Sequence, residues 1–280
     1  MKNTYKKILL NREMNKKMLA VLLDPDQCRG RILSSTIAAL KSNVPDFIFV
    51  GGSHTNSSID SFIEVLKDEV NSEVIIFPGN ISQISTKANA LLYLSLVSGR
   101  NAEFLIGQHV NSAISIKNSG IEVIPTGYIL IDGAKHSSVE YISNTRPIPR
   151  DKKEIALSTA IAAELLGMSL IYLEAGSGAN LPVPVDMIEC VGHGTTLPII
   201  VGGGIKTAEQ LTNAFDAGAD MVVVGNIFET EPQKIAEFVH ATKNYGVDFV
   251  EVASESKIIL YDDEDEFQKF QRYQRFKRNL

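Results

Sequence analysis

The stretch "IIVGGGIKTAEQL" (199–211), led in by Pro198, begins as an apolar strand and ends as a helix, with Gly202, Gly203 and Gly204 at the junction. A second strand with its own terminal glycine follows, "GADMVVVGNIF" (218–228). Glycine lets backbone approach a ligand closely and take up positive φ. N–H groups at a helix start then point at an anion. Tight turns alone would explain one such glycine. The pair, Gly203-Gly204 and Gly225-Asn226, favours a bound phosphate, because glycine loops after the seventh and eighth strands are the phosphate pocket of α/β barrels.

Working outward, the chain alternates short apolar runs with longer amphipathic ones. Strands are expected at 18–23, 47–52, 73–79, 90–96, 122–131, 169–178, 197–204 and 219–226. Helices are expected at 30–42, 57–70, 101–117 and 151–167. Continuous apolar strands separated by helices imply a parallel sheet with its outer face covered. Eight such units predict a (β/α)8 TIM-type barrel over 1–248. Residues 80–89 are short for a helix, so an irregular segment is expected in the third unit. A doubly wound open sheet would carry a glycine fingerprint after its first strand, where this chain has Asp24-Pro25-Asp26.

Residues 249–280 follow the last barrel helix and predict a C-terminal helical extension. Its run Asp262–Glu266 and basic end suit the helix dipole. Phe267, Phe270, Tyr273 and Phe276 recur at three-residue spacing along one face.

A chain of 280 residues with 44% hydrophobic residues buries a substantial core. A net charge of −6 argues against bulk nucleic-acid affinity. Cys28 and Cys190 show no metal-ligand spacing, which fits a reducing cytoplasm. The basic N-terminus holds only Ile8-Leu9-Leu10 as an apolar run, too short for a signal peptide, and no window is long and apolar enough to span a membrane.

Residues just after the strands carry the chemistry of this fold. In "YLEAGSG" (172–178), alternation turns Tyr172 and Glu174 the same way, toward the barrel mouth. A carboxylate there accepts a hydrogen bond or a proton from a substrate hydroxyl, or else closes an internal ion pair. Asp24 after the first strand and the hydroxyls of "GGSHT" (51–55) after the second form a sparse oxygen site suited to Mg²⁺. Asp24 as a cap on the next helix is the alternative. His54 lacks acidic neighbours and reads as a structural hydrogen-bonder. In "SLVSGRNAEFLIGQH" (95–109), Arg100 reads as solvated rather than catalytic.

Together "LLDPDQ" (22–27), "VGGSHT" (50–55), "FPGN" (77–80), "SGRNAEFLIGQH" (98–109), "IPTGYILIDG" (124–133), "YLEAGSGA" (172–179), "VGGGIKT" (201–207) and "GADMVVVGN" (218–226) resemble the geranylgeranylglyceryl phosphate synthase family. The likeness is to the group that includes bacterial members, which is related to heptaprenylglyceryl phosphate synthase. It spans roughly residues 5–245. The resemblance implies a prenyltransferase that condenses sn-glycerol 1-phosphate with a polyprenyl diphosphate, a geranylgeranyl chain being expected, to an ether-linked prenylglyceryl phosphate and diphosphate.

It also implies site residues. Tyr172, Leu173, Glu174, Ala175, Gly176, Ser177, Gly178, Gly203, Gly204, Gly225 and Asn226 would hold glycerol phosphate, Glu174 and Tyr172 would be catalytic, and Asp24 and Ser53 would contact Mg²⁺. Gln27 stands where lysine or arginine is expected, a departure that bears on an extra basic contact to diphosphate and not on the metal. Strands two to four and residues 98–109 are expected to line an apolar groove for the chain. A homo-oligomer (dimer or hexamer), a cytoplasmic location and transient contact with a membrane surface complete the expectations. A phosphosugar isomerase or synthase of the barrel class is the rival enzyme, and a non-catalytic phosphate-ligand-binding protein the rival of another kind.

Overall fold

The computed structural model describes residues 3–52, 59–80 and 82–246. Its eight strands are β1 (Met18–Leu23), β2 (Phe47–Val50), β3 (Glu73–Ile76), β4 (Ala90–Leu96), β5 (Glu122–Leu130), β6 (Leu170–Glu174), β7 (Ile199–Gly202) and β8 (Met221–Val224). All neighbours pair in parallel. Pairing of β1 with β8, from Met18↔Met221 to Val21↔Val224, closes the sheet into a barrel and excludes the open-sheet alternative.

The strands are apolar along their length because both faces are covered. One set of alternate residues fills the interior, among them Met18, Ala20, Phe47, Phe49, Ile75, Leu92, Tyr128, Tyr172, Ile200 and Met221. The intervening residues, such as Leu19, Val21, Ile48, Leu173 and Val201, are equally buried. By the period of two they face the helical layer.

The helices are α1 (Thr4–Glu13), α2 (Gly30–Ser42), α3 (Ile59–Glu69), α4 (Gln108–Ser119), α5 (Ser138–Ser143), α6 (Lys153–Leu165), α7 (Val185–Gly194), α8 (Ala208–Asp216), α9 (Asn226–Thr230) and α10 (Ile235–Lys243). The third unit has no helix among its described residues between β3 and β4, as its length predicts. The helix expected at 101–117 opens instead with a π-helical turn, Glu103–Gly107, and α4 follows it to Ser119. The compact unit that holds the barrel ends at Lys243. The expected helix at 249–280, with its acidic run and aromatic face, lies outside the described residues.

Helix α1 has no counterpart in the sequence reading. Ile8 is buried and joins the interior cluster, and Tyr5 packs against it. Glu122, at the start of β5 and itself buried, accepts hydrogen bonds from the Thr4 and Tyr5 N–H groups at 2.9 and 3.1 Å. The Tyr5 hydroxyl donates to the Ser169 carbonyl. A carboxylate 118 residues distant thus does the work that a local cap does elsewhere. Glu122→Ala is expected to destabilise the fold by about 2 kcal/mol, because two helix-end N–H groups lose a charged acceptor. Urea unfolding would measure this, and an unchanged midpoint would show that α1 is held by packing alone.

Candidate active site

The strand C-termini converge on a cavity of about 620 Å³. Its polar end is built by the loops after β6, β7 and β8. Glu174, the last residue of β6, is only 6% exposed. Its Oε1 accepts the Gly176 N–H at 2.6 Å. Burial raises its carboxyl pKa from about 4.5 to about 7, and the Gly176 N–H and the nearby Tyr172 hydroxyl hold back part of that rise. No ion pair reaches Glu174, so the reading of an internal salt bridge is not realised among the described residues.

Loop β7–α8 lies directly against this carboxylate. Gly203 has φ 80°, and a Cβ there would stand 2.3 Å from Glu174 Oε1 and 2.7 Å from the Gly176 nitrogen. The Gly203 and Gly204 N–H groups donate to no backbone acceptor among the described residues. Asn226, at the start of α9, reaches back across the mouth. Its Oδ1 accepts from Ser177 Oγ at 3.0 Å and from the Gly178 N–H at 3.1 Å. Three loops that are distant in sequence therefore make one cup, lined by Glu174, Ser177, Gly178, Gly203, Gly204, Gly225 and Asn226.

Below the cup lies an aromatic platform. Tyr172 stacks on Phe77, with ring centroids 5.2 Å apart, and meets Tyr128 at 5.3 Å. The Tyr172 hydroxyl is buried and makes no well-aligned hydrogen bond, although it is close enough to Glu174 to influence its ionisation. Burial first, and then the Glu174 charge, push the Tyr172 phenol well above its ordinary pKa. It stays protonated at neutral pH, so it can donate a hydrogen bond but not serve as base. Leu173 and Ala175 are buried but do not line the cavity, Leu173 because it points to the opposite face of β6.

Asp24 lines the same cavity. Its Oδ1 accepts the Asp26 N–H at 2.9 Å, and its carbonyl accepts from Gln27 and Cys28. The following helix starts later, with Arg29 at its N-cap, so Asp24 does not cap it. Glu229 on α9 also lines the cavity, and burial followed by the Asp24 charge raises its pKa. Ser53 and His54 lie outside the described residues.

The cavity continues into an apolar arm lined by Leu91, Tyr93, Leu94, Leu96, Phe104 and Ile116. Gln108 and His109 stand along it. His109 Nε2 lies 3.1 Å from Ser95 Oγ, its ring meets Tyr93 edge-on at 4.5 Å, and burial lowers its pKa, leaving it neutral at pH 7. Arg100 bonds its own loop carbonyls at Ser98 and Gly99 and is not part of the cavity lining. Sequence reasoning missed Phe77 and Tyr128. The one available signal was alignment, since Tyr128 and Tyr172 are register partners in β5 and β6.

A family model described as the PcrB family matches residues 12–243. The chain belongs to the PcrB family. Geranylgeranylglyceryl phosphate synthase of Chitinophaga pinensis is 48% identical to it over 226 residues, covering 80% of this chain and 90% of the relative. The synthase of Korarchaeum cryptofilum is 42% identical over 219 residues, covering 78% and 90%. Among solved structures, (S)-3-O-geranylgeranylglyceryl phosphate synthase from Thermoplasma acidophilum, in complex with its substrate sn-glycerol-1-phosphate, superposes with a TM-score of 0.77. It is 34% identical and covers 86% of this chain and 98% of its own. The PcrB match ends at Lys243, where the compact unit also ends. The family assignment thus covers the barrel and the whole cavity.

Proposed function

We propose that this protein is a prenyltransferase that joins a polyprenyl diphosphate, with geranylgeranyl expected, to sn-glycerol 1-phosphate. The products are an ether-linked prenylglyceryl phosphate and diphosphate. One observation carries the reading at the level of chemistry. A buried carboxylate poised near neutrality sits under a cup of backbone N–H groups, and the cup opens into an apolar arm. Membership of the PcrB family and likeness to named synthases supply the substrate class. A rival aldolase would need a lysine facing the cup, and the lysine that lines the cavity, Lys206, belongs to the glycine loop.

The phosphate of the acceptor rests on the glycine loops after β7 and β8, with Ser177, Gly178 and Asn226 closing it from the β6 side. Held there, a glycerol hydroxyl lies over Glu174. Ionised Glu174 accepts that hydroxyl proton as the oxygen forms a bond to C1 of the prenyl chain. The bond from C1 to the diphosphate oxygen breaks, and its electron pair leaves with diphosphate. The protonated Tyr172 hydroxyl lies on the Glu174 side of the cup, close enough to favour the ionised carboxylate. Asp24, with an oxygen ligand from the loop after β2 such as Ser53, suits a Mg²⁺ ion, a hard cation that takes few protein ligands beside phosphate oxygens. Mg²⁺ would neutralise charge developing on the leaving diphosphate. The apolar arm takes the hydrocarbon, each buried CH₂ contributing about 0.8 kcal/mol.

Among the described residues no helix is long and apolar enough to cross a membrane. An exposed apolar row, Ile106, Val110 and Ile114, favours the expected self-association. Purified protein incubated with labelled sn-glycerol 1-phosphate, Mg²⁺ and prenyl diphosphates of several lengths is expected to yield the labelled ether. Omission of Mg²⁺ is expected to abolish it. No product at any chain length would overturn the reading. Because the base must be ionised, kcat is expected to rise about tenfold per pH unit up to about pH 7 and then level off. A profile flat from pH 5 to 7 would remove Glu174 as the base.

A further inference from the structure

The segment between β3 and β4 replaces a helix, yet it holds one of the most buried polar side chains of the molecule. Gln83 is 2% exposed. Its Oε1 accepts the Gly52 N–H at 3.3 Å and the Gly79 N–H at 3.1 Å, and its Nε2 donates to the Gly52 carbonyl at 2.7 Å. One carboxamide thus satisfies both peptide groups of Gly52 and ties them to the loop after β3. The two loops also touch directly, since a Cβ on Gly51 would lie 1.9 Å from the Phe77 carbonyl oxygen. Gly51, Gly52, Gly79 and Asn80 form the cavity wall on this side. Gly51 donates to the Leu23 carbonyl, which places this wall beside Asp24, the residue that follows β1.

We infer that Gln83 is a positioning residue for the diphosphate end of the site: its carboxamide sets the Gly51–Gly52 backbone at a fixed distance from Asp24. The inference rests on the prenyltransferase reading and adds a residue to it. A carboxamide is required because the clip needs a donor and an acceptor at one side-chain tip. A leucine supplies neither. An ionised glutamate supplies only acceptors and sets a negative oxygen against the Gly52 carbonyl, leaving a buried polar group unpaired. The glycerol-phosphate cup is built on the loops after β6, β7 and β8, and none of the clip's hydrogen bonds reaches those loops.

The test is binding by calorimetry, with Mg²⁺ plus inorganic diphosphate as one probe and sn-glycerol 1-phosphate as the other. In Gln83→Leu and Gln83→Glu, affinity for Mg²⁺–diphosphate is expected to fall about tenfold or more, with glycerol phosphate affinity within about twofold of wild type. In turnover, KM for the prenyl diphosphate and the Mg²⁺ requirement should rise while KM for glycerol phosphate holds. The Gln83→Glu variant supplies a rescue, because a protonated carboxyl again offers one donor and one acceptor. Its deficit relative to wild type in Mg²⁺–diphosphate binding should shrink as pH falls from 7.5 to 5, and this arm stands even if the leucine variant does not fold.

Equal losses for both probes, or no loss for either, would overturn the inference, as would a deficit in Gln83→Glu that ignores pH. Failure of the underlying reading shows separately, as a wild-type protein that makes no prenylglyceryl phosphate.

Discussion

Glu174→Gln is expected to cut turnover by about a thousandfold, to leave sn-glycerol 1-phosphate binding nearly intact, and to raise the thermal midpoint at pH 8. The first effect follows from removing a general base, whose contribution is typically about 10²–10⁴-fold. The second follows from shape, because a glutamine Oε1 still accepts the Gly176 N–H. The third is a linkage effect. In the unfolded chain this carboxyl ionises near 4.5, and in the folded protein near 7. Between those values the folded state holds a proton that the unfolded state has released. Stability contributed by the site therefore falls as pH rises through that window, and above pH 7 the folded protein carries the full penalty of a buried charge. That penalty is on the order of 3 kcal/mol. The variant should lose its stability advantage as the pH is lowered toward 4.5. Calorimetric melts of both proteins at pH 5 and pH 8 read this directly. An equal midpoint at pH 8 would mean that Glu174 is not desolvated, and retained turnover would mean that it is not the base.

Gly203→Ala is expected to do comparable damage by another route. At φ 80° any side chain carries backbone strain of about 1–2 kcal/mol. Here the added methyl also meets Glu174 Oε1 at 2.3 Å and the Gly176 nitrogen at 2.7 Å. Neither neighbour is the free end of a flexible chain, since the carboxylate is fixed by Gly176 and the nitrogen is backbone. The β7 loop must move off the β6 loop, which opens the cup. The expected result is at least about a hundredfold loss of glycerol phosphate affinity together with destabilisation of about 2–4 kcal/mol. Isothermal titration and chemical unfolding would separate the two. Wild-type affinity in the alanine variant would mean that phosphate does not rest on this loop.

Those two residues also mark how far the sequence could be read. Glu174 was legible because alternation along β6 aims it into the mouth, and Gly203 because bare backbone after a strand needs a reason. Its reason proved to be double, a ligand face and a carboxylate pressed against it from behind. Asn226 was legible as a loop residue at the cup, but its hydrogen bonds to Ser177 and Gly178, 49 and 48 residues away, leave no trace in local pattern. Gln83 was invisible, as a polar residue in a segment noted only for being too short to be a helix. Helix α1 was missed because the surface it covers, the interior end of the barrel, exists only once eight strands have closed.

The sequence by itself determined the barrel, the end of it that carries chemistry, and the glycine loops of the cup. Those depend on period-two burial, strand spacing and backbone freedom, each of which acts over a few neighbouring residues. The tertiary structure alone decided that Glu174 titrates near neutrality, that Phe77, Tyr128 and Tyr172 stack into one platform, and that Gln83 clips two loops together. A pKa, a ring stack and a buried hydrogen bond are properties of groups from separate strands brought into one dry space, and the order of residues along the chain does not encode that space locally.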